Sequence, residues 1–273
     1  MSEWTALLAR ITIFPAPLSV TLPSALDLYK KVWEGDPTSF QGPTNPLSPS
    51  LAQGKHAGLA ISCSVHQSRI DFNLSPVGPE SASETPKLFV IEDSKELHDE
   101  FASIARTIGK GLLATSVLRV ATFLQFVSIE ANSMEANKAL MSIVPEQYRI
   151  KLGDEEEFVL QISRPRTSEH VEKLKMNLIT KWSVQRFQVV SLLVPMGAVP
   201  IVAAPQSGIA PQVTEFITAS VGFDINNAPV AADRPLSSGQ QSSLLLEGLA
   251  HTARSMREDG LKIKGFENGK LTH

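Results

Sequence analysis

The clearest arrangement of residues for chemistry is a pair of acids with a lysine. Asp71 lies in a predicted hairpin, and Asp93 and Lys95 follow a predicted strand with one residue between them. Two carboxylates on neighbouring strands can hold Mg²⁺, while an adjacent lysine stabilises the attacking water or the charge of the transition state. These residue types at this spacing indicate a magnesium-dependent nuclease that uses Asp71, Asp93 and Lys95.

The same residues also have a structural interpretation. Asp93 precedes a helical pattern, and Glu96 follows three residues later, which is the spacing of a helix N-cap and its capping partner. In that case Lys95 is a solvated side chain. Because capping is the commoner role of such an acid, the nuclease is the second hypothesis. The preferred hypothesis has no metal and no cofactor.

Other catalytic motifs do not occur in the sequence. It contains no G-x-S-x-G, H-E-x-x-H or C-x-x-C, and Gly109-Lys110-Gly111 lacks the spacer and the hydroxyl residue of a phosphate-binding loop. We expect these glycines to end a helix. Cys63 alternates with apolar residues, which predicts a buried, unreactive thiol. Enzymatic activity stays open, and a non-catalytic role is favoured.

Three lysines in the second half of the chain indicate a third function. Lys173, Lys175 and Lys181 share one parity along a predicted strand, opposite to the apolar residues, so they project from one face. Such a stripe can follow a phosphate backbone, which predicts nucleic-acid binding. No aromatic residues for base stacking alternate with them, and a solvated face or a lysine-protected sheet edge is the simpler explanation.

The composition excludes a strongly cationic protein and reveals long uncharged segments. The chain has 273 residues, a net charge of −3 and 19% charged residues, against roughly 25% in an average soluble protein. Two windows, residues 37–54 and 187–214, contain no charge at all. Both contain prolines, which exclude helices and interrupt strands.

The second window contains the strongest candidate interaction surface, residues 195–211. Its prolines prevent it from forming an ordinary strand, so its apolar side chains cannot be buried in that way. Loops of this length without secondary structure are uncommon in compact domains and usually have a function. We predict that it binds a second copy of the chain or another protein. Packing onto its own chain is the alternative, and contact with a membrane is not favoured. The candidate contact residues are Pro195, Met196, Val199, Pro200, Ile201, Val202, Pro205 and Ile209.

The ends and the apolar runs of the sequence predict a location. The first residues include an acid but no basic cluster, so we expect no signal peptide. Prolines or charges interrupt every apolar run before the roughly 18 residues of a membrane-spanning helix. Cys63 is the one cysteine, so no internal disulfide can form. We therefore predict a cytoplasmic protein.

Hydrophobic periodicity predicts the elements that position these residues. Alternation predicts strands over residues 10–15, 59–65, 70–74, 87–91, 118–126, 158–162, 176–189 and 213–224, with 59–74 forming a hairpin. The apolar parity changes after Val184, which predicts a β-bulge near Gln185. Capping residues and helical periodicity predict four helices that begin near residues 24, 93, 132 and 238. Prolines and glycines predict irregular structure over 36–54.

Similar phrases recur in the two halves of the chain. Phe72-Asn73-Leu74 resembles Phe223-Asp224-Ile225, and the helix that follows each has apolar residues at the same steps. A duplication explains both similarities, but amphipathic helices share periodicity in any case. The sequence predicts an α+β protein, mainly antiparallel sheet with about four helices. We expect the protein to divide into an N-terminal half (1–152) and a C-terminal half (153–273). A single compact unit is the alternative.

The leading functional hypothesis follows from the uncharged loop. It is a non-catalytic interaction or assembly subunit of a cytoplasmic complex, which uses the Pro-rich residues 195–211 and forms a homo-oligomer or binds another protein.

Overall fold

One antiparallel sheet of nine strands organises the chain. The computed structural model describes residues 3–16, 22–45, 48–78, 87–113, 116–152, 157–191, 212–261 and 263. Four α-helices accompany the sheet within these ranges. The predicted α+β class, mainly antiparallel and with four main helices, is confirmed.

The described residues form nine strands, four α-helices and one 3-10 helix. In chain order they are β1 (Thr5–Pro15), α1 (Ala25–Trp33), β2 (Ser39–Gln41), β3 (Ser50–His56), β4 (Leu59–Val65), β5 (Ile70–Pro76), α2 (Ser94–Gly109), β6 (Val117–Glu130), α3 (Ser133–Ile143), a 3-10 helix (Glu146–Tyr148), β7 (Val159–Thr167), β8 (Lys175–Ser191), β9 (Gln212–Asn227) and α4 (Ser238–Glu258).

The order of elements repeats, as the two similar sequence phrases suggested. Apart from the short β2, each half has a strand, a helix, three strands and a final helix, and the sheet order is β2-β3-β4-β5-β1-β6-β9-β8-β7. The first strands of the two units, β1 and β6, pair antiparallel at the centre. The second unit therefore begins at β6. The predicted domain division at residue 152 falls between the 3-10 helix and β7, and it stays a prediction.

All four helices pack on one face of the sheet. Tyr29 of α1 packs on Gly54 of β3, and Gly248 of α4 lies against Thr122 of β6. Ser133, at the start of α3, accepts a hydrogen bond from Arg186 on the same face. The largest side chains buried between the helices and the sheet are Trp182, Phe72, Phe101, Phe126 and Phe223. Burial of this apolar face is the main term that holds the helices on the sheet.

The opposite face of the sheet carries no described helix, and we call it the open face. Its side chains alternate with the buried series along each strand, so Arg10 and Phe14 of β1 are only partly buried there. Lys181 of β8 is exposed on the same side. The open face is therefore a surface on which residues from several strands meet.

Local capping signals predict the starts of the helices correctly. The side chain of Ser24 accepts the N–H of Asp27, and that of Asn132 accepts the N–H of Glu135. Ser237 and Gln240 form a complete capping box before α4, and the predicted start of this helix near residue 238 is confirmed. These signals are reliable because the side-chain oxygen satisfies a backbone N–H that the helix itself leaves free.

The predicted β-bulge near Gln185 is wrong. The β8–β9 register runs without a shift from Met176–Asn227 to Ser191–Gln212. Beyond Arg186 the two strands leave the part of the sheet that is flanked by β6 and β7. Apolar residues after this point need not face the helices, which removes the reason for the bulge.

Two further sequence expectations are wrong for tertiary reasons. Residues 87–91 form no strand, and only Ile91 makes an isolated bridge to Ala6. Residues 36–54 are not wholly irregular, because β2 and part of β3 lie within them. Gly54 is a β3 residue that gives Tyr29 room to pack, so it does not mark the end of a strand.

A buried glutamate attaches the final helix of each unit. In α2, Glu100 accepts a 2.6 Å hydrogen bond from the indole Nε1–H of Trp33. In α4, Glu247 accepts a 2.6 Å bond from the hydroxyl of Ser168 and a 2.8 Å bond from the backbone N–H of Glu169. Glu247 thereby connects α4 to the β7–β8 turn through charge-assisted hydrogen bonds, which are stronger than neutral ones.

Asp259, just after α4, gives a testable pH dependence. Its Oδ2 is buried and finds no hydrogen-bond donor among the described residues. Burial raises the pKa of Asp259 to about 6, although Arg164 acts in the opposite direction. A folded-state pKa above the unfolded one means that the carboxyl group costs stability progressively as the pH rises from about 4 to 6.

We therefore expect Asp259→Asn to raise the free energy of unfolding at pH 7 by about 1 kcal/mol, a value discounted for partial exposure. At pH 4 the gain should disappear. Urea denaturation at both pH values measures this, with Asp233→Asn, an exposed acid, as the control. An equal gain at pH 4 and pH 7 would contradict the assignment.

Candidate functional site

The end of the β8–β9 ribbon extends beyond the neighbouring strands. The β6–β9 pairing ends at Glu130–Ile217, and the β7–β8 pairing ends at Val159–Ser183. The pairs from Phe187–Phe216 to Ser191–Gln212 continue with no flanking strand among the described residues. At about 3.4 Å per residue these five pairs are about 17 Å long. We call residues 187–191 and 212–216 the arm.

A cluster around Arg186 holds the base of the arm. Its Nε donates to Glu157 at 2.9 Å, and its Nη1 donates to Glu215 at 3.1 Å. The Nη2 group also reaches the hydroxyl of Ser133 at the start of α3, at 3.2 Å. The guanidinium group therefore joins the arm to the β7 end and to a helix. This fixes the direction in which the arm leaves the sheet.

The surface of the arm is apolar and nearly without charge. Glu215, held by Arg186, is its charged residue, and none occurs from Phe187 to Thr214. Val213 is 53% exposed, and Phe187 and Phe216 are partly exposed. The eight predicted contact residues, Pro195 to Ile209, lie outside the described residues, in the segment that joins the two strands of the arm. Their role stays a prediction.

Other edges of the sheet are protected against strand pairing. β7, at one end of the sheet, carries Pro165 between Arg164 and Arg166. β2, at the other end, has only three residues. Prolines, charges and short edge strands are ways in which proteins block pairing at a sheet edge. The arm has none of these features in its uncharged part.

Asp71 is a buried residue of the sheet. It is 3% exposed, and its Oδ1 accepts a 2.7 Å bond from the hydroxyl of Thr12. Its Oδ2 lies 2.8 Å from Nε of Arg69 and 3.9 Å from Nε2 of His66. These contacts satisfy both oxygens and join β5 to β1. The carboxylate is therefore occupied by structural partners.

Asp93 and Lys95 lie at the far end of β5 from Asp71. Asp93 caps α2, with its Oδ1 accepting the N–H of Lys95 at 2.8 Å, while Nζ of Lys95 lies 3.2 Å from Asp99. Asp93 shares a cleft of about 510 Å³ with Pro76. Asp71 is five residues from Pro76 along the strand, about 17 Å. The structure thus does not bring the three residues of the nuclease hypothesis together around one ion.

The three lysines of the nucleic-acid hypothesis divide between two places. Lys175 and Lys181 lie on β8, exposed, with the parity of the open face. Lys173 lies in the turn before β8, with a positive φ of 61°, and its Nζ is 3.3 Å from Glu172. Two of the three lysines therefore share a surface with the central strands of the sheet.

The centre of the open face holds two arginine–phenylalanine pairs that the sequence reasoning missed. Cζ of Arg10 lies 5.4 Å from the ring centroid of Phe123, and Cζ of Arg119 lies 4.9 Å from that of Phe14. The signal is an Arg-x-x-x-Phe motif in both β1 and β6. Because the strands are antiparallel, Arg10 is directly opposite Phe123, and Phe14 is opposite Arg119.

The described residues offer little for metal or thiol chemistry. No group of three or more His, Cys, Asp or Glu side chains in the described ranges is arranged to hold a metal ion. Cys63 is buried, and burial, with a smaller contribution from Asp71, raises the pKa of its thiol far above the ordinary range. A thiol in this environment is a poor nucleophile. Among the helices described, none is long and apolar enough to span a membrane.

The geometry defines an α+β protein with two candidate surfaces, the arm and the centre of the open face. No protein-family model matches the chain, and a comparison with curated proteins finds no similar sequence.

Proposed function

We propose that the chain is a non-catalytic assembly subunit that binds a second copy of itself through the arm. The single observation that carries the proposal is the five-pair extension of β8–β9, from Phe187–Phe216 to Ser191–Gln212, past its flanking strands. Each strand of the arm has an outer row of backbone groups without a described strand partner. Such a row can pair with a strand from another chain.

The chemistry of the arm favours a second copy of the chain as the partner. Two identical arms that pair antiparallel produce a closed twofold dimer, the commonest symmetric assembly. Self-association is opposed when like charges meet, but residues 187–214 carry no charge. The exposed side chain of Val213 would be covered in such a dimer. The Pro-rich residues 195–211, which connect the two strands of the arm in the sequence, stay the predicted contact residues of this assembly.

The test is the mass of the full chain in solution, measured by light scattering after size-exclusion chromatography. We expect about twice the 29.6 kDa of one chain. The double variant Val189→Lys/Val213→Lys should be a monomer, because pairing would bring like charges together on two arms. A matched control, Ile150→Lys/Val159→Lys, adds the same charge at two exposed apolar positions outside the arm and should stay dimeric.

Two results would contradict this assignment. One is a monomeric wild-type chain at all concentrations. The other is a dimer that survives lysines in the arm. A variant without residues 197–210 separates the loop from the arm: if it still dimerises, the arm suffices and the loop residues are not required.

A further inference from the structure

The two arginine–phenylalanine pairs at the centre of the open face have no role in the arm. Nε of Arg10 and Nε of Arg119 are both buried, and neither has a hydrogen-bond partner among the described residues. No described carboxylate forms an ion pair with either guanidinium group. Buried polar groups normally have partners, so two such groups on adjacent strands require an explanation. Both arginine side chains are partly exposed on the open face, where an anionic ligand would pair with the guanidinium charge.

The ring beneath each guanidinium group holds it in place before a ligand binds. Stacking of arginine on an aromatic face is favourable and restricts the side chain. Phe123 in turn lies flat on the sheet, since a Cβ on Gly222 would be 3.2 Å from its Cε2. The result is a planar guanidinium group supported by a ring and a glycine. Such a plane is suited to stacking against another flat group.

The floor between the two pairs is formed by small side chains. Arg10 and Phe14 are four residues apart on β1, so the two pairs lie about 14 Å from each other along the strands. Thr12 and Ala121 face each other between them. An extended ligand can therefore contact both pairs without meeting a large side chain.

Positive charge predominates around this floor. Lys181 and Lys175 lie on the same face, two strands from β6. Among the described strand residues, the carboxylates on this face are Asp224, which accepts a bond from Nδ2 of Asn226, and Asp71, which is paired with Arg69. The chain as a whole has a charge of −3. The basic character of the open face is thus local and can direct a polyanion to it.

We propose that the open face binds single-stranded nucleic acid, with phosphates on Arg10 and Arg119 and bases stacked on the arginine–phenylalanine planes. An acidic peptide fits less well, because peptides that bind sheets gain affinity from main-chain pairing at an edge. Here both arginines are on central strands, whose main-chain groups pair with β5, β6, β1 and β9. A ligand must therefore bind by charge and planar stacking, which single-stranded nucleic acid provides.

The test is fluorescence anisotropy of a labelled oligothymidine of about twenty nucleotides with the full chain. We expect binding that weakens steeply with salt. Arg10→Gln/Arg119→Gln should weaken it at least tenfold and reduce the slope of log K against log salt by about 1.4, since each single-strand phosphate contact contributes about 0.7. Phe14→Leu/Phe123→Leu should weaken binding about tenfold with the slope unchanged.

The matched control removes the same charge from the helix side of the molecule. Arg106 of α2 and Arg257 of α4 are exposed there, so Arg106→Gln/Arg257→Gln should bind like the wild type. Thermal unfolding of each variant checks that it is folded. Equal weakening by both arginine pairs would overturn the proposal, as would tighter binding of duplex DNA than of the single strand. Full displacement by poly-glutamate at equal charge would also overturn it, in favour of an acidic peptide.

Discussion

Glu247→Ala is expected to lower the free energy of unfolding by about 3 kcal/mol, the typical cost of removing one partner from a buried charged contact. Glu247 is 3% exposed. Its loss leaves the hydroxyl of Ser168 and the backbone N–H of Glu169 without their acceptor. Nε2 of His251, which lies 3.5 Å from Oε1 of Glu247, loses its neighbour as well. The β7–β8 turn should therefore detach from α4.

The effect of this substitution should depend on pH in a defined direction. Burial alone would raise the pKa of Glu247, but the nearby imidazole of His251 and the hydrogen bonds from Ser168 and Glu169 outweigh it and hold the pKa below the ordinary value. A lowered folded-state pKa means that the carboxylate stabilises the protein fully above the unfolded-state pKa of about 4.3. That contribution is lost as the pH falls through the folded-state pKa.

Urea denaturation monitored by tryptophan fluorescence measures the loss of stability and its pH dependence. It is carried out at pH 7 and at pH 3.5, which is below the unfolded-state pKa of about 4.3. The difference between wild type and Glu247→Ala should be smaller at the lower pH. Glu169→Gln is the matched control, since this acid lies in the same turn but its side chain is 56% exposed. We expect it to change stability by less than about 0.5 kcal/mol. A similar loss in both variants would show that the buried contacts of Glu247 are not the cause.

Gly248→Ala is expected to lower the free energy of unfolding by about 2 kcal/mol, within the usual range for overpacking a core. A Cβ at this position would be 2.6 Å from Oγ1 and 3.0 Å from Cγ2 of Thr122. Helix α4 must therefore move away from the centre of the sheet, or Thr122 must change its rotamer. Either change costs more than the roughly 1 kcal/mol that alanine gains over glycine in a helix.

A double-mutant cycle identifies the contact responsible. Thr122→Ala removes both atoms that a Cβ on Gly248 would meet, so the two substitutions together should destabilise the protein by at least 1 kcal/mol less than the sum of the single changes. Gly239→Ala, in the same helix with no heavy atom within 4 Å of its Cβ, should cause no loss. Additive effects of Gly248→Ala and Thr122→Ala would refute the close-packing explanation.

The sequence predicts those parts of the fold that depend on neighbouring residues. The sequence predicts the caps at Ser24, Asp93 and Asn132 because each side-chain oxygen accepts a backbone N–H three residues further along the chain. The alternation of apolar residues over 59–74 correctly predicts the β4–β5 hairpin. In contrast, the sequence does not predict the strand β3. Gly54 looks like a residue that interrupts a strand, and its actual role, to give Tyr29 room to pack, depends on a residue far away in sequence.

The candidate surfaces depended on information that the sequence does not display. Periodicity places Lys175 and Lys181 on one face of a strand, but their relation to Arg10 requires the order of four strands, β1-β6-β9-β8. The match between Arg10 and Phe123 requires a register between residues 113 positions apart, the difference of their numbers. Periodicity gives the face of a strand but neither its neighbours nor its register.

The central pairing of β1 with β6 also has a consequence for synthesis of the chain. β1 is made well before β6, so one of its two edges has no partner until β6, which ends at Glu130, has left the ribosome. Sheets built from such distant pairings fold slowly, and an unpaired strand edge promotes aggregation while the chain is incomplete. The nascent N-terminal unit therefore has an interval in which a chaperone, or the β1 strand of another nascent chain, competes with β6 for the same edge.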